Sequence, residues 1–279
     1  MNKVLIATVV AIIIAICVGV VAWWYYVSNK APSTTATSAS LSTSATISKA
    51  PTPTGKEYLV VGTSPDFPPF EYVAKNGSIV GFDIDLIRLL AHKIGYKDIK
   101  IVSMDFDSLI PALLQGKIDV IAAGMSITPE REKVVAFTIP YWHADQAVLI
   151  RASSKWVPKS LEDLKGKTVG VETGTTGADY VKKYASKLGI KVKEYSSFVL
   201  AVQDLVNGRI DAVVLDSPVA KMFTAKYPVK IAFVIHTGEV YGFAVRKSDT
   251  KLLNALNQAL KEVLNSTAYK KLVEKYFGS

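Results

Sequence analysis

Ile118–Arg131 reads IDVIAAGMSITPER, and the fold is decided by how that stretch is read. Ile118–Ala123 is an apolar run of strand length. Gly124 breaks it, and Thr128-Pro129 supplies a hydroxyl for a helix N-cap and a proline for the first helical position. Arg131 then falls in the first helical turn, where the helix dipole disfavours a cation and where a Glu would have closed a capping box. A broken local rule at a strand-to-helix turn points to function, because ligands collect at the carboxyl ends of strands. Two readings stand: Arg131 awaits a carboxylate beside the amides and hydroxyl of Gly124–Ser126, or it is a surface arginine pairing with Glu130 or Glu132.

Outward from that stretch the same grammar recurs. Tyr58–Gly62 reads as a buried strand. The proline-rich loop Thr63–Phe70 displays Phe67 and Phe70, one expected in the core and the other in a pocket, and Asn76-Gly77 marks a hairpin turn. Phe82–Ile94 is an amphipathic helix ended by Gly95. Ile99–Ser103 is a strand, and Phe106–Gln115 is a helix ended by Gly116. A second series follows: strand Lys167–Val171, helix Ala178–Leu188, strand Lys191–Tyr195, helix Phe198–Asn207, strand Ile210–Leu215. Strand–helix alternation predicts doubly wound α/β structure. LQGKIDVI (Leu114–Ile121) is echoed by VNGRIDAV (Val206–Val213). That echo predicts two similar lobes, although any α/β unit can make such a pattern.

Ala147–Arg151 and Ile231–Ile235 are the expected crossings between the lobes. Tyr241–Val245 and the helices Leu252–Leu264 and Ala268–Tyr276 would complete the first lobe. The expected division is lobe 1 over 57–146, lobe 2 over 147–236 and a return to lobe 1 over 237–279. Two crossings make a hinge and a cleft that can close.

Ahead of the folded part, Val4–Val27 is uncharged, nearly all apolar and long enough to span a bilayer. Lys3 precedes it and Trp23–Tyr26 form an aromatic belt at its far end. Residues 1–30 are therefore read as a transmembrane signal anchor. A cleaved signal peptide is the rival, against which the length of the run and its aromatic end argue. Bulky Ile16 before Cys17 argues against a lipid-attachment cysteine. Residues 31–56, rich in Ser, Thr, Ala and Pro, are read as a disordered stalk.

Net charge is +9, but the basic residues are scattered, with pairs such as Lys182-Lys183 the longest runs. Nucleic acid is not an expected partner. One cysteine excludes internal disulfides and a cysteine-built metal site. His92, His143 and His236 share no ligand spacing, so neither metal nor cofactor is expected. Thr173–Gly177 lacks the spacing of a dinucleotide fingerprint. An arginine on one lobe and Asp216 on the other, each just past a strand end, suit a zwitterion. Arg131 would take the carboxylate and Asp216 the ammonium, Ser126 could serve either, and the Thr175-Thr176 amides could grip the carboxylate from the opposite lobe. Glu71 reads as a loop carboxylate outside the pocket.

GTSPDFPPFEY, GFDIDL, PALLQGKIDVIAAGMSITPER, AFTIPYW, DLKGKTVGVETGTTG, GRIDAVVLDSPVA and YGFAVRK carry a resemblance. From Glu57 onward the chain resembles the extracytoplasmic solute-binding proteins of polar amino-acid ABC transporters. The resemblance implies a two-lobed periplasmic-binding-protein-like fold with a hinge. It implies a free amino acid as ligand, a permease as partner and a monomeric, membrane-anchored receptor outside the cytoplasm. By position it makes Arg131 the carboxylate binder, Asp216 the ammonium partner, Ser126 and Gly124 backbone-group contacts and Thr176 a second-lobe carboxylate contact. Phe67 and Phe106 become aromatic walls, and Glu172 faces the ligand side chain. Ser64 stands where relatives that bind basic amino acids carry Asp, which weakens an arginine or lysine assignment unless Glu172 or Asp66 supplies the acidity. Polar uncharged and basic ligands both stay open. The rivals are an exported dehydratase of prephenate-like compounds on the same fold, with Glu172 as its acid, and a sensing subunit of a signalling assembly.

Overall fold

The computed structural model describes residues 56–278, so the expected anchor and nearly all of the expected stalk lie outside the described residues. Among the described residues no helix is long and apolar enough to cross a membrane. β1 (Tyr58–Thr63) enters the proline loop, where β2 (Asp66–Phe67), β3 (Glu71–Val73) and β4 (Ile79–Val80) pair antiparallel around the Asn76-Gly77 turn. α1 (Phe82–Lys93) and β5 (Asp98–Ser103) follow. The helix expected over Phe106–Gln115 is instead a 3-10 turn, Phe106–Ser108, leading into α2 (Leu109–Leu114). Pro111 explains the split: its ring would clash with the carbonyl four residues back, so regular α-helix cannot extend through Asp107. β6 is only Val120–Ile121, shorter than the apolar run, although Asp119 and Ala122 still donate N–H bonds to Val60 O and Gly62 O at 2.8 and 3.0 Å. α3 (Pro129–Glu132) and β7 (Val135–Phe137) complete this half.

The second half runs β8 (Trp142–Arg151), β9 (Thr168–Glu172), α4 (Thr176–Leu188), β10 (Lys191–Tyr195), α5 (Phe198–Val206), β11 (Ala212–Asp216), α6 (Ser217–Lys226) and β12 (Val229–Tyr241). β13 (Ala244–Arg246), α7 (Thr250–Leu264) and α8 (Thr267–Phe277) return to the first half. The two large sheets have the orders β5-β1-β6-β13-β7 and β10-β9-β11-β8-β12. In each, two parallel pairings are followed by two antiparallel ones, so only the fourth strand runs against the rest. This is a mixed α/β fold of two lobes.

The sequence echo has a structural cause. Gly116 and Gly208 both have positive φ, 73° and 74°, and turn each helix end into its strand. Asp119 and Asp211 accept a backbone N–H from the neighbouring strand, from Val60 and Thr168. An arginine braces each junction. Arg246 donates to Leu113 O and Ile118 O, and Arg151 donates to Leu205 O and Ile210 O. Strand alternation then fills a core on both faces of each sheet. In β11, Val213 and Leu215 join one apolar cluster while Ala212 and Val214 join another.

β8 and β12 pair antiparallel from Val229↔Arg151 to Tyr241↔Trp142. The expected crossing segments, Ala147–Arg151 and Ile231–Ile235, thus lie within the second sheet. The passage to the first lobe is made by the far ends of the same strands, where Tyr241 bridges to Ser126. The register of β12 against β8 shifts between Ile235 and Glu239, and the pairing then resumes to Tyr241↔Trp142. Behind this passage Phe277 stacks on Trp142 with ring centroids 4.0 Å apart, fastening α8 to the first lobe.

Candidate functional site

The loops at the carboxyl ends of β1, β6, β9 and β11 converge on one cavity. Ser64, Phe67, Phe106, Gly124, Ser126 and Arg131 line it from the first lobe. Glu172, Thr175, Thr176 and Asp216 line it from the second. All ten residues singled out from sequence therefore face one space. Three more complete it: Asp66, Glu71 and Phe198.

Arg131 is held by its local structure. Thr128 caps α3 by accepting the Arg131 N–H at 3.2 Å. The guanidinium donates to Ser126 O at 2.7 Å and, across the cleft, to Gly174 O at 3.0 Å, and it lies 5.3 Å from the Phe106 ring centre. Burial lowers its pKa, and the Asp216 charge works against that shift. The pairing with Glu130 or Glu132 is not the arrangement found; Arg131 turns inward.

Gly124 has φ +50°, and a Cβ there would sit 2.4 Å from the Phe67 ring, so only glycine lets the aromatic wall lie against this turn. Its N–H donates to buried Asp83, which also accepts from the Tyr141 hydroxyl. The Asp of GFDIDL thereby fastens the α1 start to the turn that carries Ser126. Sequence reasoning gave this residue no role, and its apolar helix face hid it.

On the second lobe Thr175 caps α4, accepting the Ala178 N–H at 3.1 Å and donating to Glu172 O at 2.8 Å. Asp216 is buried and accepts from the Tyr241 hydroxyl at 2.5 Å. Burial, with the Glu239 charge adding to it, pushes its pKa up to about 7. Asp66 reaches across the cleft to accept the Phe198 N–H at the start of α5 at 2.6 Å, and Ser64 donates to its other oxygen at 3.2 Å. Burial raises the Asp66 pKa to about 6. The helix begun at Ser217 was missed from sequence, although Pro218 in its first turn was a legible start signal.

Glu71 overturns its expected placement. It lines the cavity at 0% exposure, and neither carboxylate oxygen has a hydrogen-bond partner. Burial raises its pKa well above the ordinary carboxylate range, with Asp83 and Asp66 adding to the shift. Glu172, at 2% exposure with Oε1 unpartnered, is raised likewise by burial. The hairpin is the reason Glu71 was misplaced: β3 pairs with β2 and folds the loop back, turning Glu71 inward and Tyr72 outward. The histidines stay outside the cavity; His236 Nδ1 meets Asp145 Oδ2 at 2.8 Å on the surface.

Residues 59–279 match the bacterial extracellular solute-binding proteins, family 3. The arginine-binding extracellular protein ArtP of Bacillus subtilis is 37% identical over 226 residues, which cover 80% of this chain and 87% of ArtP. A solved structure of arginine-bound ArgBP from T. maritima, in a mutant form, is 51% identical with a TM-score of 0.72, covering 74% of this chain and 96% of that one. An ancestral amino acid-binding protein described as a precursor of cyclohexadienyl dehydratase is 41% identical with a TM-score of 0.74, covering 79% and 96%. With the two matched sheets and a cleft between them, the chain belongs to the bacterial extracellular solute-binding proteins of family 3.

Proposed function

We propose that the cleft captures a basic amino acid, arginine first, and hands it to an ABC transporter permease. The observation that carries this is the count of ionisable groups on the cavity wall: four acids (Asp66, Glu71, Glu172, Asp216), whose ionisation a bound cation would favour, against one guanidinium (Arg131). A zwitterion's carboxylate meets Arg131 and its ammonium meets Asp216. Asp66 is engaged by the Phe198 N–H. Glu71 and Glu172 then remain, each with a buried oxygen lacking a partner. A buried carboxylate is stabilised by a paired, hydrogen-bonded cation, and a guanidinium supplies both charge and a planar fork. Phe67 and Phe106 give such a plane its faces. Glu71 thus supplies the acidity whose loss at Ser64 had weakened the basic assignment. The names of ArtP and ArgBP agree with this reading.

In this reading Val4–Val27 tethers the receptor outside the cytoplasm, and release of the protein from membranes by alkaline carbonate would remove the tether. Calorimetry of the protein against the twenty amino acids tests the ligand. Arginine should bind tightest, lysine and histidine more weakly, and aspartate and glutamate not at all. Glu71→Gln should weaken arginine by roughly tenfold to a hundredfold, the range for one hydrogen bond to a charged group. Tight glutamate binding, or turnover of prephenate or arogenate, would defeat the proposal.

A further inference from the structure

Glu239 stands on β12 just past the shift in its register with β8, and it is half-buried beside the cavity. Its Oε2 accepts from Ser126 Oγ at 2.6 Å and from Thr176 Oγ1 at 2.6 Å. Its Oε1 accepts from Gln146 Nε2 at 3.1 Å and from Thr237 Oγ1 at 2.9 Å. Four donors from four segments of chain thus saturate one carboxylate. Two of them, Ser126 and Thr176, are cavity-lining hydroxyls from opposite lobes.

A carboxylate only accepts, and a hydroxyl has a single hydrogen. The Ser126 and Thr176 hydrogens are therefore both committed to Glu239. What either hydroxyl can offer a ligand is a lone pair. Thr176 Oγ1 is further approached on its acceptor side by Gln146 Nε2 at 3.5 Å. Neither hydroxyl can then donate to a ligand carboxylate. That group is left to Arg131 and to the N–H groups that open α4, which lack intrahelical acceptors. Ser126 instead joins Asp216 as an acceptor, and acceptors call for an ammonium. The Glu239 charge also bears on both ends of this arrangement, on Arg131 and on Asp216.

We infer that Glu239 is a positioning residue that fixes the Ser126 and Thr176 hydroxyls as acceptors and so makes the cleft demand an α-ammonium group. The inference rests on the amino-acid reading above. It goes beyond that reading because Glu239 need not touch the ligand to set this demand.

Calorimetry with arginine and with 5-guanidinopentanoate, its analogue lacking the amino group, tests it. The native protein should favour arginine by roughly a hundredfold or more, the loss of charge-assisted bonds to two acceptors. In Glu239→Gln the amide nitrogen donates, which frees a hydroxyl hydrogen to point into the cavity. The arginine preference should then shrink by about tenfold or more, the scale of one such bond, chiefly through weaker arginine binding. Glu239→Ala, with folding checked by circular dichroism, should shrink it as well. A preference unchanged in both variants, with the two affinities falling together, would reduce Glu239 to a structural brace and overturn the inference. Failure of the native protein to bind either compound would overturn the amino-acid reading itself, a different result from binding without the change in preference.

Discussion

At the scale of single residues, the cleft is a set of carboxylates kept from ionising freely by burial. Asp216 is pushed up to about 7 and Asp66 to about 6, and burial raises Glu71 and Glu172 in the same direction. The sign for ligand binding follows directly. An ammonium pairs with ionised Asp216, so protons compete with the ligand and binding releases them. Affinity for arginine should fall by roughly tenfold from about pH 8 to about pH 6, set by Asp216 alone and steeper if Glu71 or Glu172 joins. Calorimetry in buffers of different ionisation enthalpy would detect the released protons; a flat profile without proton release would rule this linkage out. For the protein without ligand the sign reverses. These acids hold more protons folded than unfolded, so their contribution to stability is full below about pH 4 and declines as pH rises through about 7.

At the scale of elements, each lobe repeats one junction: helix end, positive-φ glycine, Ile-Asp, strand, and an arginine on an antiparallel neighbour. Arg246 satisfies Leu113 O and Ile118 O and also meets Asp119 at 3.3 Å. Arg246→Ala would leave two carbonyls without their donor and would remove one cation from Asp119. The expected loss is about 2–4 kcal/mol by denaturant unfolding, in the range for uncompensated buried polar groups. Arg151→Ala should cost about as much in the second lobe, where Leu205 O and Ile210 O lose the same donor. Loss under about 0.5 kcal/mol in both variants, the range of ordinary surface substitutions, would show that the braces carry no stability. The echo LQGKIDVI/VNGRIDAV was visible in the chain, but the arginines that complete it lie far along the sequence and carried no local signal.

At the scale of the whole molecule, closure joins the halves through Asp66 with the Phe198 N–H, Arg131 with Gly174 O, Glu239 with the Ser126 and Thr176 hydroxyls, and the Phe67 and Phe198 rings 5.8 Å apart. A ligand that adds contacts to both lobes would shift an open–closed equilibrium between them. Small-angle X-ray scattering should therefore show a smaller radius of gyration with saturating arginine than without it. Asp66→Ala should enlarge the ligand-free radius or leave it unchanged, never reduce it. Arginine binding with no change of radius in the native protein would remove the hinge from the account.

Periodicity, glycine caps and the Thr128-Pro129 start were enough to read strand–helix alternation and two matched halves, because backbone geometry and helix capping are decided within a few residues, but they left Arg131 open between an inward and a surface reading. Arg131, Asp216, Ser126, Gly124, Thr175 and Thr176 could be picked out in advance because strand ends and helix starts mark a cleft in an α/β sheet, whereas Phe67, Phe106, Glu172 and Ser64 came from the family resemblance. Three matters were settled only by tertiary structure. Glu71 enters the cavity because β3 pairs with β2 and folds the loop back on itself. The lobes are joined through the ends of β8 and β12 because a long antiparallel pair outruns its sheet. Glu239 gathers hydroxyls from both lobes because the far end of β12 pairs with the Ser126 turn of the first lobe. Each depends on where distant segments meet, and a linear pattern of apolar and polar residues carries no record of which carboxylate will find which hydroxyl.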